Sequence, residues 1–140
     1  MEDYLFIMTP VAGWVIAQTL KILLDLRRNG VQLSDAIASG GMPSAHTAGI
    51  VALTTAIGIR EGVQSAIFGL ALTVMVVIIY DSLGVRRAAG ENTLAIRKLQ
   101  RLLKNKNGSH TLLARGHTPN EVLAGSLLGV AIGVIFASLL

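Results

Sequence analysis

Two short segments place histidines beside signals for the start of a helix. In Gly41-Met42-Pro43-Ser44-Ala45-His46-Thr47, glycine and proline lead into an apolar run. A helix beginning there offers unpaired backbone N–H groups and a partial positive charge, which together suit an anion such as phosphate. Ser44 is placed to cap that helix, and a plain turn with His46 satisfied inside a bundle accounts for the same residues. In Arg115-Gly116-His117-Thr118-Pro119-Asn120-Glu121, Thr118 at the cap, Pro119 at the first helical position and Glu121 three residues after the cap form a capping box. His117 then stands just outside a second helix start. The plainer alternative leaves Glu121 as a cap and His117 as a solvated loop residue.

Taken together the two segments point to phosphoryl transfer. A carboxylate near His117 can hold its ring in one tautomer and sharpen it as a nucleophile, while His46 can supply or remove a proton. Metal binding is the competing chemistry, since two histidines and two carboxylates could converge. The His-Glu-x-x-His spacing is absent, however, and the chain has no cysteine, so neither a metal nor another cofactor is expected.

The elements that must position these residues are membrane spans. Of 140 residues, 52% are hydrophobic and 14% charged, and the mean hydropathy is +0.63. Uncharged runs predict an all-α, polytopic membrane helical bundle, a single integral membrane domain with spans over about 4–24, 44–59, 62–83 and 119–140. Pro10 is expected to kink the first span or mark a late start, and Glu2 and Asp3 ahead of it argue against a cleaved signal. The second run is short for a crossing, so its start should sit below the membrane surface. Over about 91–104, Leu94, Ala95, Leu99, Leu102 and Leu103 recur at helical spacing among Arg97, Lys98, Arg101 and Lys104, which predicts an amphipathic surface helix.

Four crossings put eleven of the twelve Lys and Arg residues on one side, with only Arg60 opposite. The bias in positive charge places that side in the cytoplasm and both termini outside. The net charge of +4 is read as attraction to anionic membrane lipids, not to nucleic acid, because three Phe, two Tyr and one Trp give few rings to stack on bases. Gly125, Gly129 and Gly133 form a smooth stripe whose neighbour is a helix of this chain or of a second subunit, so a homodimer is one of two outcomes.

The motifs resemble the type-2 phosphatidic acid phosphatase superfamily, which includes lipid phosphatases, bacterial acid phosphatases and vanadium haloperoxidases, and in particular its divergent membrane branch. Pro43-Ser44-Ala45-His46 is similar to the family's Pro-Ser-Gly-His motif, with alanine for glycine. His117 followed by Glu121 is similar to a third motif in which an aspartate follows the nucleophilic histidine by four positions. Lys21 and Arg28 keep the spacing of the first motif, and the segment from Tyr80 to Gly90 resembles the divergent branch itself. Asn29 stands where the first motif has proline, and Thr111 where the third has arginine, so Arg115, Arg86 or Arg87 would have to replace that arginine.

The resemblance implies a phosphatase acting on a lipid or isoprenoid phosphate or diphosphate. His117 would attack phosphorus with Glu121 orienting it, and His46 would protonate the leaving oxygen. Lys21, Arg28 and one or more of Arg86, Arg87 and Arg115 would neutralise the phosphate, helped by Ser44 and the backbone around Gly41. Lys21 and Arg28 also suit plain snorkelling to the headgroups. Asp81 is expected to form a structural ion pair with Arg86 or Arg87. The alternative is a non-catalytic phospholipid-binding or membrane assembly protein retaining the fold. Cysteines introduced at Ser109 and Gly62 should be labelled from opposite sides of the membrane; labelling of both from outside would refute the four-crossing topology.

Overall fold

The computed structural model describes residues 2–29, 41–102 and 116–139. The protein is an all-α membrane bundle, and no strand occurs among the described residues. Its helices are α1 (Glu2–Asn29), α2 (Ala45–Arg60), α3 (Ala66–Leu83), α4 (Val85–Leu102) and α5 (Pro119–Leu139). Helix α2 is the hub, packing on α5, α1 and α3, while among the described residues α4 packs on α3 alone.

Three stretches are long and apolar enough to cross a membrane: Tyr4–Arg27, Ala66–Gln100 and Pro119–Leu139. Helix α2, with 16 residues, is not among them. At about 1.5 Å per residue it reaches roughly 24 Å, less than the ~30 Å hydrocarbon layer. Its buried Ala45, Ala48, Val51, Ala52, Ala56 and Ile57 face protein where the outer helices show Leu, Val and Ile to lipid.

Small residues let the backbones approach closely enough to hold this hub. A methyl built on Gly129 would lie 2.7 Å from the Ala48 carbonyl oxygen, and one on Gly133 would lie 2.6 Å from that of Ala52. The glycine stripe of α5 is thus occupied by α2 of the same chain, which removes it as a surface for a homodimer. On the other side of α2, Gly13 and Gly49 interlock, with the Pro10 carbonyl oxygen 2.9 Å from a methyl built on Gly49. Van der Waals packing of this kind is the main attraction between helices in lipid, where apolar surface alone gives no driving force.

Two boundaries differ from the sequence expectation. Helix α1 runs through Pro10 without a late start; transmembrane helices tolerate proline because neighbouring groups satisfy the freed carbonyl. Helix α4 begins at Val85, well before the expected position 91, after a single break at Gly84. Ala88 and Ala89 favour helix without contributing to an amphipathic pattern, so periodicity alone misses this first turn. Across the break, Gly84 N–H donates to the Tyr80 carbonyl at 2.9 Å and Ala88 N–H to that of Gly84 at 2.9 Å. Leu94, Ile96, Leu99 and Leu102 are exposed along α4, as is Lys98. Residues 103 and 104 of the expected surface helix lie outside the described residues.

Gly129→Ala should cost about 1–3 kcal/mol by forcing α2 and α5 apart. Gly69→Ala, where a methyl meets nothing within 4 Å, should be neutral or stabilising. Thermal unfolding of both variants in one detergent tests this, and equal melting points would refute tight α2–α5 contact.

Candidate functional site

The starts of α2 and α5 and the end of α3 are tied together through the backbone. Ser44 N–H donates to the Glu121 carbonyl at 3.0 Å, joining the cap of α2 to the first turn of α5. His117 N–H donates to the Ser82 carbonyl at 3.1 Å. Helix α3 ends one residue after Ser82, at Leu83, and the last carbonyls of a helix lack a continuing partner. His117 supplies one. Gly125 completes the junction, since a methyl there would lie 2.6 Å from the Ser44 carbonyl oxygen.

Within that junction His117 Nδ1 lies 3.0 Å from Glu121 Oε2. The same carboxylate oxygen accepts Thr118 N–H at 3.2 Å, while Thr118 Oγ1 accepts Glu121 N–H at 3.4 Å. The capping box read from the sequence is therefore present, and its glutamate serves the imidazole as well. An ionised carboxylate only accepts, so Nδ1 carries a hydrogen in this contact. In the neutral ring the lone pair then sits on Nε2. His117 is 5% exposed, which keeps the ring fixed and sheltered from bulk water.

Lys21 is brought to the same place from α1 and is 5% exposed. Its stem crosses Gly41 so closely that a methyl there would lie 2.7 Å from Lys21 Cε, and Gly41 has φ +96°, a conformation that glycine adopts without strain. Among the described residues, Asp25 and Glu121 bring negative charge to bear on the Lys21 ammonium. The ammonium thus lies in the field of the carboxylate that orients His117.

Ser44 is wholly buried, and its Oγ accepts Thr47 N–H at 3.4 Å and the Thr47 hydroxyl at 2.9 Å. Its hydroxyl is committed to the helix cap in this arrangement. His46, two residues past the cap, is exposed. Met42-Pro43 is a cis peptide, and Pro43 is buried beneath the turn.

The structure therefore brings together Lys21, Gly41, Ser44, His117 and Glu121. Arg28 lies seven residues after Lys21 on α1, a spacing that shares a helix face, and Arg86 and Arg87 lie in the first turn of α4. The side chains of these three arginines, and the whole of Arg115, lie outside the described residues. Asp81 is half-buried in the last turn of α3, beside the helix start that carries its expected partners. Among the described residues no group of three or more His, Asp or Glu side chains is arranged to hold a metal ion.

Sequence reasoning missed two contributors. Asp25 was readable as a carboxylate one helical turn beyond Lys21. Ser82 was not readable, because it contributes a backbone carbonyl that any residue could supply.

Gly41→Ala should lower stability by about 1 kcal/mol or more, through backbone strain and collision with Lys21. Adding Lys21→Ala should then cost less than it does alone, with a coupling of about 0.5–3 kcal/mol in a double-mutant cycle. Strict additivity would refute the contact.

An uncharacterized membrane protein of Bacillus subtilis (strain 168), YuiD, is similar to this chain, 27% identical over 146 aligned residues that cover 94% of this chain and 92% of the relative. No solved structure matches. The model of the divergent PAP2 family matches residues 2–132, through α1 to α4 and most of α5, and the chain belongs to that family.

Proposed function

We propose that the protein hydrolyses a lipid or polyprenyl phosphate or diphosphate through a phosphohistidine intermediate. The observation that carries this reading is the 3.0 Å contact of His117 with Glu121 at a buried helix start, in a field shared with Lys21. Membership of the divergent PAP2 family supports it.

In the first step the Nε2 lone pair of His117 attacks phosphorus, and the bond from phosphorus to the leaving oxygen breaks. His46, protonated, gives that oxygen its proton. Glu121 accepts the Nδ1 hydrogen throughout and stabilises the positive ring. In the second step neutral His46 takes a proton from water, whose oxygen attacks phosphorus; the P–N bond breaks and phosphate leaves. Lys21, with Arg28, Arg86, Arg87 or Arg115, offsets the negative charge on the phosphoryl oxygens. Gly41 lets the Lys21 stem pass, and Ser44 acts by fixing the start of α2.

The reaction is assigned to the cytoplasmic face, with both termini outside, because eleven of twelve basic residues fall on that side. Helix α4 would lie against anionic lipids there. A non-catalytic phospholipid-binding or assembly role is the competing reading. It is favoured by the complete burial of Ser44, which withholds one expected phosphate ligand.

His117→Ala should cut hydrolysis of a lipid phosphate by at least about a thousandfold in folded protein, and acid-labile phosphohistidine should be trapped on the wild type but not on this variant. His46→Ala should cost about 10²–10⁴-fold, and less with leaving groups that need no proton. Vanadate should inhibit without added metal, and chelators should not. Full activity of His117→Ala, or loss of activity on chelation, would overturn the mechanism.

A further inference from the structure

Helices α1 and α2 run antiparallel, and their contacts fix the register between them. Gly13 lies against Ala48 and Gly49, while the Lys21 stem passes Gly41, so each step forward along α1 is a step back toward the start of α2. Between these contacts Gln18 falls level with Ser44, and His46 lies two residues further along α2, an offset of about 3 Å along the axis. Gln18 lies within the apolar Tyr4–Arg27 stretch, one turn inside Lys21, where hydrocarbon cannot satisfy an amide.

The same packing sets the direction of both side chains. Ala17 and Ala45 are packed together in the core, and the residue after each turns about 100° away from that contact. Viewed from one end, antiparallel helices turn in opposite senses, so Gln18 and His46 turn to the same flank of the pair. Their burial agrees with a place at its edge, Gln18 being half-buried and His46 exposed. Side chains on a helix lean toward its N-terminus, which sends His46 back toward Ser44 and Gln18 back toward the preceding turn of α1. In an antiparallel pair those leanings oppose each other and close the offset. Neither residue is without a partner.

We propose that the Gln18 side-chain carbonyl accepts a hydrogen bond from one ring nitrogen of His46, which makes Gln18 a positioning residue for the proton exchange assigned to His46. The role rests on the hydrolase reading above. A carbonyl only accepts, so the nitrogen facing Gln18 keeps its hydrogen whether the ring is charged or neutral. The other nitrogen is then the single place where a proton leaves for the departing oxygen or arrives from water. The two histidines are thus supported differently. Glu121 stabilises the positive ring of a nucleophile, whereas a neutral amide orients His46 without adding a charge that would hold its proton.

Gln18→Leu keeps a similar volume and removes the acceptor. On a long-chain phosphatidate it should lower kcat about tenfold, with KM within about twofold of wild type. In His46→Ala protein it should cause no further loss, because it acts through that ring. Thr19→Leu, at the exposed neighbouring position, is the control and should change neither. A tenfold loss that persists in His46→Ala protein would mean a structural role and overturn the proposal.

The ring itself reports the contact without any turnover. Protein made with histidine enriched in the heavy nitrogen isotope carries three labelled imidazoles, and His46→Ala identifies the magnetic-resonance signals of residue 46. In substrate-free nanodiscs, at a pH where the ring is neutral, wild-type His46 should show one protonated and one bare nitrogen, whereas Gln18→Leu should show the averaged pair of exchanging tautomers. That change in a protein that hydrolyses no phosphatidate would keep the contact and remove the hydrolysis. An identical ring spectrum in both proteins would overturn the proposal.

Discussion

A helix too short for the bilayer governs this molecule. Helix α2 has 16 residues and a wholly buried cap, so its first N–H groups open inside protein. Unsatisfied backbone groups in an apolar medium cost several kcal/mol each. Ser44 answers part of that demand by accepting Thr47 N–H, and its own N–H reaches the Glu121 carbonyl. The need to satisfy a buried helix start thus draws α5 to α2 at the end where His117 stands. Glycines on α5 then allow an approach so close that a methyl at Gly125, Gly129 or Gly133 would collide with α2 backbone.

Polar side chains elsewhere obey the same solvent constraint. Thr9 donates to the Leu5 carbonyl at 2.7 Å and Thr73 to that of Gly69 at 2.9 Å, each returning its hydroxyl to its own helix. Thr54 shares its hydrogen between Ile50 at 2.8 Å and Ala71 on α3 at 3.4 Å, a polar link between the two helices. Phe68 on α3 lies over Gly58 on α2, where a methyl would come within 2.8 Å of its ring. Lipid cannot hydrogen-bond to these hydroxyls, so sequence positions that look interchangeable with valine are fixed by their acceptors.

Local features were legible from the sequence, and tertiary ones only in outline. The capping box of Thr118 and Glu121 could be read because all its partners lie within four residues. The glycine stripe of α5 was equally visible, but its partner was not: a smooth face fits a helix of the same chain or of a neighbour, and only the structure selects α2. The start of α4 at Val85 was obscured because Ala88 and Ala89 support helix without marking a face. Lys21 was legible by its spacing to Arg28, whereas its passage over Gly41 depends on a loop brought near by folding. The carbonyl of Ser82 had no signature at all, since backbone groups are common to every residue.

One oxygen of Glu121 accepts both the Thr118 amide and the His117 ring. A single atom therefore serves the thermodynamics of the α5 start and the electronic state of the imidazole. Removing the carboxylate at position 121 therefore removes both contacts at once. The anchoring of a helix and the orientation of a ring are thereby tied to each other through one atom.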